Sequence, residues 1–434
     1  MANSTAWQNW AGNQRSNATS VTSPNSTAEV VEVIRAARAA GQTIKPIGTG
    51  HSFTAAAATT GVRVELGGLT GLLNVDRANR LVRVKAGTPL AALNSALAMH
   101  GLAMPNLGDI DVQTISGALA TGTHGTGVSY GCLSTFVEEL EVVLGTGEVV
   151  RCSRTERSDV FMAALVGVGA IGVVTEVTLR CVDAFILHAD ERPTPLADVL
   201  ASIDERISTN DHFEFYWMPY TEKTLTKSNN RVPLDDRPRG GFNRWFNDDL
   251  LENTVLGGVV RLARAAPALT PGLLRMTASA FSARSYTERS DLVFTSPRRV
   301  RFVEMEYSLP RAALGEAFAG LRRVIDGLPG KVTFPVEVRF TAADDIWLSH
   351  GNGRDNAYIA IHQFVGVPYE EYLRGFEAVC VPLGGRPHWG KMHYRDAQSL
   401  RPAYPRFDDF LGVRDKADPD RVLANTYTRQ VFGD

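Results

Sequence analysis

The spacing of hydrophobic and polar residues changes several times along the first 180 residues. Helical spacing follows Ser26, where Ser26 and Glu29 fit a capping box and Gly41 supplies a left-handed stop. Thr88 is predicted to cap a second helix that runs to about Met99. Alternating stretches between and after these helices predict strands from about 43, at 62–66, at 81–87, in a hairpin over 138–153 and at 167–181.

The pattern changes after about residue 182. Residues 212–221 are rich in aromatic side chains, and 255–290 is predicted to be helical. Further strands are predicted at 301–309, 332–340 and 357–364, with a helix at 311–328. Because helices and strands do not alternate as regular βαβ units, the fold class is α+β, and a second α+β unit begins near residue 184.

Composition restricts the possible functions. The 434 residues are 44% hydrophobic and 21% charged, with a formal net charge of −2, which is typical of a soluble globular protein and predicts no binding to nucleic acid. Four widely spaced cysteines form neither a zinc motif nor a disulfide framework, so a reducing cytoplasm is the expected compartment. No signal peptide and no run of 18 apolar residues occurs, so no integral membrane segment is expected.

The segment "KPIGTGHSF" at 45–53 places His51 at the tip of a glycine loop. A tight turn with an incidental histidine is one interpretation, and a phosphate cradle is another. The loop departs from the GxGxxG fingerprint of dinucleotide folds and lacks the GK[ST] of a P-loop.

A second glycine block, "LGDIDVQTISGALATGTHGTG" at 107–127, favours the phosphate interpretation. Glycines there alternate with hydroxyl side chains, a pattern that suits a pyrophosphate. Two such loops in one unit indicate a long diphosphate ligand, and therefore a dinucleotide. A lone histidine in a glycine loop more often forms a hydrogen bond with the backbone than acts in catalysis, and this is the expectation for His124.

A third group of polar residues lies near the C-terminus. Glu337 and Arg339 in "VEVRF" share one strand face, a pattern that more often belongs to a solvated surface. "PHWGKMHY" gathers His388, Lys391 and His393, and a further strand carries His362. These histidines lack the spacing of a zinc motif, so we expect no metal and instead a cationic, aromatic pocket.

Together these motifs resemble one known family. "PIGTGHSF", "SGALATGTHGTG", "FEFYWMPYT", "VEVRF", "GGRPHWGKMH" and the terminal "DPDRVLANTY" occur in the order seen in aldonolactone oxidoreductases and alditol oxidases. These are flavoproteins of the vanillyl-alcohol oxidase superfamily. The resemblance covers nearly the whole chain, and the combination is specific although each motif alone is weak.

The resemblance implies a fold and a domain plan. The expected fold is α+β, with a two-subdomain FAD-binding domain of the vanillyl-alcohol oxidase type and an α+β cap domain. The implied boundaries are 1–182 for the FAD-binding domain, 183–400 for the cap and substrate domain, and 401–434 for a segment that returns to the first domain.

The resemblance also implies the cofactor, FAD, and its attachment. In many family members the histidine of the GxGHS loop is bonded to the 8α carbon of FAD, and His51 stands at that position. Such a bond raises the flavin potential and fixes the ring, while the redox chemistry belongs to the cofactor. The residues expected to bind FAD are Pro46, Ile47, Gly48, Thr49, Gly50, His51, Ser52, Asp109, Thr114, Gly117, Thr121, Gly122, Thr123, His124 and Val173.

By the same resemblance, Glu337, Arg339 and Lys391 line the substrate side of the flavin. Glu337 is expected to polarise, or take a proton from, the hydroxyl whose carbon gives hydride to N5. Arg339 and Lys391 are expected to stabilise negative charge on substrate oxygens and reduced flavin, and His362 to orient a substrate hydroxyl. Gly108 falls where the family governs oxygen access to the flavin, and a glycine there favours an oxidase.

The sequence therefore predicts an FAD-dependent oxidase of a sugar-1,4-lactone of the gulono-, galactono- or arabinono- type, with O₂ reduced to hydrogen peroxide. The alternatives are an alditol oxidase acting on xylitol or sorbitol, and a lactone dehydrogenase with another electron acceptor. A flavin-binding protein without activity is a further alternative, and the retained acid and cation set argues against it.

Overall fold

The computed structural model describes residues 5–234, 236 and 256–434, so part of the predicted second domain lies outside the described residues. The strands are β1 (Ala6–Gln8), β2 (Arg15–Asn17), β3 (Ser20–Thr22), β4 (Ile44–Ile47), β5 (Val62–Glu65), β6 (Leu72–Asp76), β7 (Leu81–Lys85), β8 (Leu102–Ala103), β9 (Val137–Leu144), β10 (Val149–Ser153), β11 (Gly172–Arg180), β12 (Val182–Asp183), β13 (Ile186–Pro195), β14 (His212–Trp217), β15 (Lys223–Val232), β16 (Arg284–Arg289), β17 (Phe302–Pro310), β18 (Val336–Thr341), β19 (Asn356–Phe364) and β20 (Arg386–Pro387).

The helices alternate irregularly with these strands. They are α1 (Thr27–Ala39), α2 (Leu90–Met99), α3 (Ile115–Ala120), α4 (Ser158–Leu165), α5 (Leu196–Ala201), α6 (Ile203–Thr209), α7 (Leu256–Ala265), α8 (Thr270–Ser279), α9 (Ser290–Phe294), α10 (Leu314–Gly327), α11 (Glu370–Cys380), α12 (Ala397–Leu400), α13 (Phe407–Ala417) and α14 (Thr426–Phe432).

The early strands form two sheets. β3, β5 and β4 make a parallel sheet in the order β3-β5-β4, and an antiparallel sheet has the order β10-β9-β11-β7-β6. Helix α1 begins as predicted, because the Ser26 hydroxyl accepts a hydrogen bond from the Glu29 amide at 3.2 Å. The expected cap at Thr88 is wrong: Pro89 is the N-cap, and the Thr88 hydroxyl donates to the Lys85 carbonyl.

The later strands form one antiparallel sheet of eight, β16-β13-β15-β14-β18-β19-β17-β20, which we call the large sheet. One of its faces is apolar and packs beneath α10 and α11 in a single hydrophobic cluster. The prediction of continuous helix over 255–290 is wrong for Arg284–Arg289, which pairs with β13 as an edge strand. Tertiary pairing decides that segment, because β-propensity depends on the neighbouring strand.

The C-terminal segment packs back against the early strands. The Ile44 amide donates to the Val422 carbonyl at 2.7 Å. Phe407, Phe410 and Phe432 lie in the same hydrophobic cluster as β7, β9 and β11. The domain boundaries at 182 and 400 remain a prediction, although sheet membership also changes between β11 and β13.

Two global expectations concern cysteines and membranes. All four cysteines are buried and free of disulfides. Across the described residues, no helix has both the length and the apolar character required to cross a bilayer.

Candidate active site

The two glycine loops face each other across an elongated space of about 1100 Å³, which we call the cleft. Gly50 has a φ of +73°, a conformation that favours glycine. A Cβ on Gly48 would lie 2.5 Å from the Thr114 hydroxyl oxygen, so the loops touch where only glycine fits. The predicted FAD-binding residues that line the cleft are Pro46, Ile47, Gly48, Thr49, Gly50, His51, Ser52, Thr114, Gly117 and Thr121.

The other predicted FAD-binding residues lie elsewhere. Val173 is buried in the apolar cluster around α1, although its neighbours in sequence line the cleft. Gly122 packs against His350, since a Cβ there would lie 2.8 Å from the imidazole. Asp109, Thr123 and His124 line a second space next to the cleft.

This second space, of about 660 Å³, is called the charged cavity. It shares His51, Ser52, Gln113 and Thr121 with the cleft, so the two spaces join. Three cationic side chains and three carboxylates line it: Arg298, Arg339 and Lys391, with Asp109, Glu304 and Glu306. Such a concentration of buried charge is typical of a functional site.

His51 stands at the junction of the cleft and the charged cavity. The Trp10 ring stacks on it at a centroid distance of 5.5 Å, and the Trp10 amide donates to the Gly50 carbonyl at 2.9 Å. On the other side, the Phe53 amide donates to the Gly390 carbonyl at 2.7 Å. Burial and the charge of Lys391 lower the pKa of His51, which keeps the imidazole neutral and nucleophilic.

The polar face of the large sheet forms one wall of the charged cavity. In neighbouring strands, Glu337 of β18, Ala360 of β19 and Glu306 of β17 stand in one row. The next row pairs His362 with Glu304. Paired residues point to the same face, so these side chains all project away from the apolar core.

Each cation at this wall has a carboxylate partner. The Lys391 Nζ lies 2.5 Å from the Glu304 Oε2, and Arg298 forms an ion pair with Asp109. Burial alone would raise the pKa of Glu304, but the charge of Lys391 and the interaction with His362 together outweigh it and lower that pKa to about 2. In the same way, burial opposes the cations around Asp109, yet those cations hold the pKa of Asp109 well below its usual value.

The four predicted catalytic residues divide into two layers. Arg339 and Lys391 line the charged cavity, whereas Glu337 and His362 are not among the lining side chains. Glu337 forms an ion pair with Arg339 and accepts a hydrogen bond from the Tyr216 hydroxyl at 2.8 Å. Burial raises the pKa of Glu337 despite the charge of Arg339.

Sequence interpretation missed several residues of the charged cavity, namely Arg298, Glu304, Glu306 and Gln113. A signal for the two glutamates exists: "VEMEY" on β17 repeats the charge alternation of "VEVRF" on β18, and the two strands flank β19 in the large sheet. Of the predicted cationic cluster, His393 lies apart and bonds the Tyr427 hydroxyl at 2.7 Å.

The cleft and the charged cavity fit a dinucleotide with a polar ring system. At their junction the Gln113 Oε1 is buried and has no hydrogen-bond donor among the described residues. Buried polar atoms are rarely left unpaired, so this oxygen indicates a ligand donor. Lys45, with 1% exposure, is the one Lys or Arg among the described residues that line the cleft.

Comparison with known proteins supports this interpretation of the site. A family model described as FAD binding domain matches residues 18–153, and a model described as D-arabinono-1,4-lactone oxidase matches residues 177–431. The chain belongs to the D-arabinono-1,4-lactone oxidase family. It is an FAD-dependent oxidoreductase, as the resemblance implied.

Relatives span the whole length of this family member. L-Gulono-1,4-lactone dehydrogenase of Mycobacterium tuberculosis is 42% identical over 98% of this chain and 99% of that one. L-Gulonolactone oxidase of Bos taurus is 32% identical, covering 90% and 89%. Alditol oxidase of Streptomyces sp. is 31% identical, covering 99% of both chains.

A solved structure confirms the expected fold. Cholesterol oxidase from Brevibacterium sterolicum superimposes with a TM-score of 0.84 over 100% of this chain and 97% of that one, at 20% identity. At that identity the likeness concerns the fold alone.

Proposed function

We propose that the protein oxidises a secondary hydroxyl beside the carbonyl of a neutral sugar-1,4-lactone, with O₂ as electron acceptor and hydrogen peroxide as product. The observation that carries the substrate class is the balance of charge in the charged cavity. Arg298, Arg339 and Lys391 each face a carboxylate, so the wall offers many hydrogen bonds and little net charge. That chemistry suits a neutral polyhydroxy molecule, because an anionic sugar acid would need an unpaired cation.

The proposal gives roles to side chains on the cavity wall and directly behind it. Bound FAD supplies the hydride acceptor. Arg339 and Lys391 donate hydrogen bonds to the substrate oxygens and stabilise the negative charge that develops there. Glu337 and Tyr216 fix the guanidinium of Arg339. His362 contacts Glu304 and would act on the substrate only through it.

The residues around FAD would be those of the cleft. The loops 45–52 and 113–121 would hold the dinucleotide, and we propose that His51 forms the covalent bond to the flavin. Its place at the junction, its neutral imidazole and its stacking on Trp10 support this proposal.

Gly108 supports O₂ as the acceptor. A Cβ on Gly108 would lie 3.1 Å from the His124 carbonyl oxygen and 3.2 Å from the Thr123 methyl, so a side chain would fill the gap. The relatives divide on this point, since one is named a dehydrogenase and others are named oxidases.

Anaerobic flavin bleaching tests the substrate and leaves the acceptor aside. Gulono-, galactono- and arabinono-1,4-lactones should bleach the flavin, whereas the matching open-chain aldonates should not. Faster bleaching by xylitol or sorbitol would instead establish the alditol oxidase, which the 31% identical relative favours. Mixing the reduced enzyme with air then separates an oxidase from a dehydrogenase by the rate at which the yellow colour returns.

A further inference from the structure

Two histidines of the active site each place both ring nitrogens against acceptors. The His124 Nδ1 lies 2.8 Å from the Gly125 carbonyl oxygen, and its Nε2 lies 3.3 Å from the Glu306 Oε1. The His362 Nδ1 lies 3.2 Å from the Pro335 carbonyl oxygen, and its Nε2 lies 3.4 Å from the Glu304 Oε1. A neutral imidazole has one N–H and can therefore donate to only one of these two acceptors. Each histidine forms a hydrogen bond to its glutamate as well only when the histidine–glutamate pair carries one more proton.

The two pairs differ in their other partner. Glu304 also has the ammonium of Lys391, which supplies a permanent counter-charge. Among the described residues, the ion-pair partner of Glu306 is His124, and both side chains are buried and line the charged cavity. A proton on the His124–Glu306 pair can therefore come and go without breaking a lysine ion pair.

The surroundings hold this pair in place. The His124 ring stacks on Tyr358 at 3.7 Å, and the His388 amide donates to the Glu306 carbonyl at 2.9 Å. The titratable and charged groups that face the pair are Glu304, His350, Tyr358, His388 and Lys391.

A metal ion is the competing occupant, because ligand atoms of His124, Glu306 and His388 lie within 4.8 Å of one another. The hydrogen bonding of His388 favours a proton over a metal ion as the occupant of this cluster. Its Nδ1 accepts a hydrogen bond from the Gly390 amide at 3.0 Å, so in the neutral ring Nε2 carries the hydrogen and offers no lone pair. The cluster then presents two acceptors and one donor.

We propose that the His124–Glu306 pair is the proton acceptor of the reaction. This inference rests on the proposed function. As the C–H bond breaks, its electron pair leaves as hydride to the bound flavin, and the O–H electron pair becomes the second bond of the new carbonyl. The hydroxyl proton passes to the pair. When O₂ then takes the hydride equivalent, the pair returns the one further proton that hydrogen peroxide requires.

The His124–Glu306 pair without the extra proton has a physical reason to accept it. Without it, a nitrogen lone pair and a carboxylate oxygen face each other at 3.3 Å in a buried site, which is unfavourable. A proton arriving there gains two partners at once. Glu337, in contrast, is already engaged by Arg339 and Tyr216 and would act through the guanidinium.

Two isosteric variants separate these roles. In Glu306→Gln, anaerobic bleaching should fall about 10²-fold and lose its rise with pH. In the matched control Glu337→Gln, bleaching should slow but keep that rise, since the proton acceptor is intact. Glu306→Asp should recover part of the rate. Equal rates and equal pH profiles for wild type and Glu306→Gln would overturn the proposal.

A second readout needs no turnover. Histidine ¹⁵N NMR of the purified holoprotein, with His124→Asn to assign the signals, reports how many protons the ring carries. The His124 signals should differ between wild type and Glu306→Gln, because an amide in place of the carboxylate cannot share the proton. Identical His124 signals in the two proteins contradict the proposal.

The remaining outcomes are also decisive. If the wild-type protein contains a stoichiometric metal ion that is lost in Glu306→Gln, the cluster is a metal site and the proposal that it accepts a proton is overturned. If no lactone or alditol bleaches the wild-type flavin, the proposed function fails and with it the source of the proton. The NMR comparison of wild type and Glu306→Gln then still reports separately whether the pair holds a proton.

Discussion

The cleft and the charged cavity adjoin but are built on opposite plans. The cleft takes its shape from consecutive loop residues, and Lys45 is the one Lys or Arg that lines its described part. The charged cavity takes six charged side chains from separate segments, including Asp109, Arg298, Arg339 and Lys391, and pairs each cation with a carboxylate.

This difference indicates a division of labour. Backbone amides and glycines hold a large ligand whose shape is constant, and they need close approach more than charge. A reaction that moves a hydride and a proton needs charges fixed before the reaction begins, because preorganised groups do not have to reorient in the transition state. Changes in the cleft should therefore affect cofactor binding, and changes in the cavity should affect rate.

The largest effect is expected at the junction of the two spaces. Acid precipitation should leave all the flavin in the protein pellet of the wild type and none in His51→Ala, because only a covalent bond survives denaturation. Ser52→Ala is the matched control and should keep its flavin in the pellet. Flavin recovered in the wild-type supernatant would remove His51 as the attachment point.

Two lysines, Lys391 of the charged cavity and Lys45 of the cleft, test the division of labour directly, and the cavity lysine should have the larger effect. Lys391→Met should slow anaerobic bleaching about 10²- to 10³-fold, since it removes a preorganised cation and takes the ammonium from Glu304. The amount of flavin bound per protein should stay unchanged. A normal bleaching rate would show that Lys391 does not act on the substrate.

Lys45→Met is the counterpart in the cleft. The Lys45 Nζ donates to the Leu423 carbonyl at 3.0 Å and to the Gly169 carbonyl at 3.3 Å, so it ties the C-terminal segment to a wall of the cleft. In a His51→Ala background the dissociation constant for FAD should rise about tenfold, because the cleft wall loses a buried tie of the order of one hydrogen bond. Bleaching per bound flavin should be unchanged, and a slower bleaching step would contradict the separation of the two spaces.

The last effect concerns stability behind the cavity. Burial lowers the pKa of His393 to about 3, so the folded protein keeps this imidazole neutral while the unfolded chain protonates it below about pH 6.5. Stability is therefore lost as the pH falls from about 6.5 towards 3, by about 2 kcal/mol at pH 5. Thermal unfolding at pH 7 and 5 should show a smaller loss for His393→Gln, while the exposed His100→Gln should lose as much as the wild type.

Sequence patterns are most informative where neighbours in sequence are also neighbours in space. The loop around His51 and the block around Gly117 carry their signal in consecutive residues, and the structure places both at the same cleft. Helix α1 was predicted from its cap and periodicity for the same reason. Arg339 and Lys391 were singled out by the charge patterns of "VEVRF" and "PHWGKMHY", their roles were implied by the family resemblance, and the structure places both on the cavity wall.

The remaining residues were missed because the contacts that place them in the site are tertiary. Glu304 and Glu306 look like a solvated strand face in sequence, and only the register β18-β19-β17 places them opposite Glu337 and beneath Lys391. Gln113 has no motif at all. Its orphaned oxygen becomes a signal only when the cleft and the charged cavity meet around it.

By itself, the sequence determined the α+β class, the glycine loops and the cofactor class, because turn geometry and local spacing are short-range properties. The tertiary structure alone decided which charges are paired, that Glu337 stands behind Arg339, and that His124 meets Glu306. Those facts depend on contacts between residues far apart in the chain, and burial, which sets the strength of every charge in the cavity, exists only once those contacts have formed.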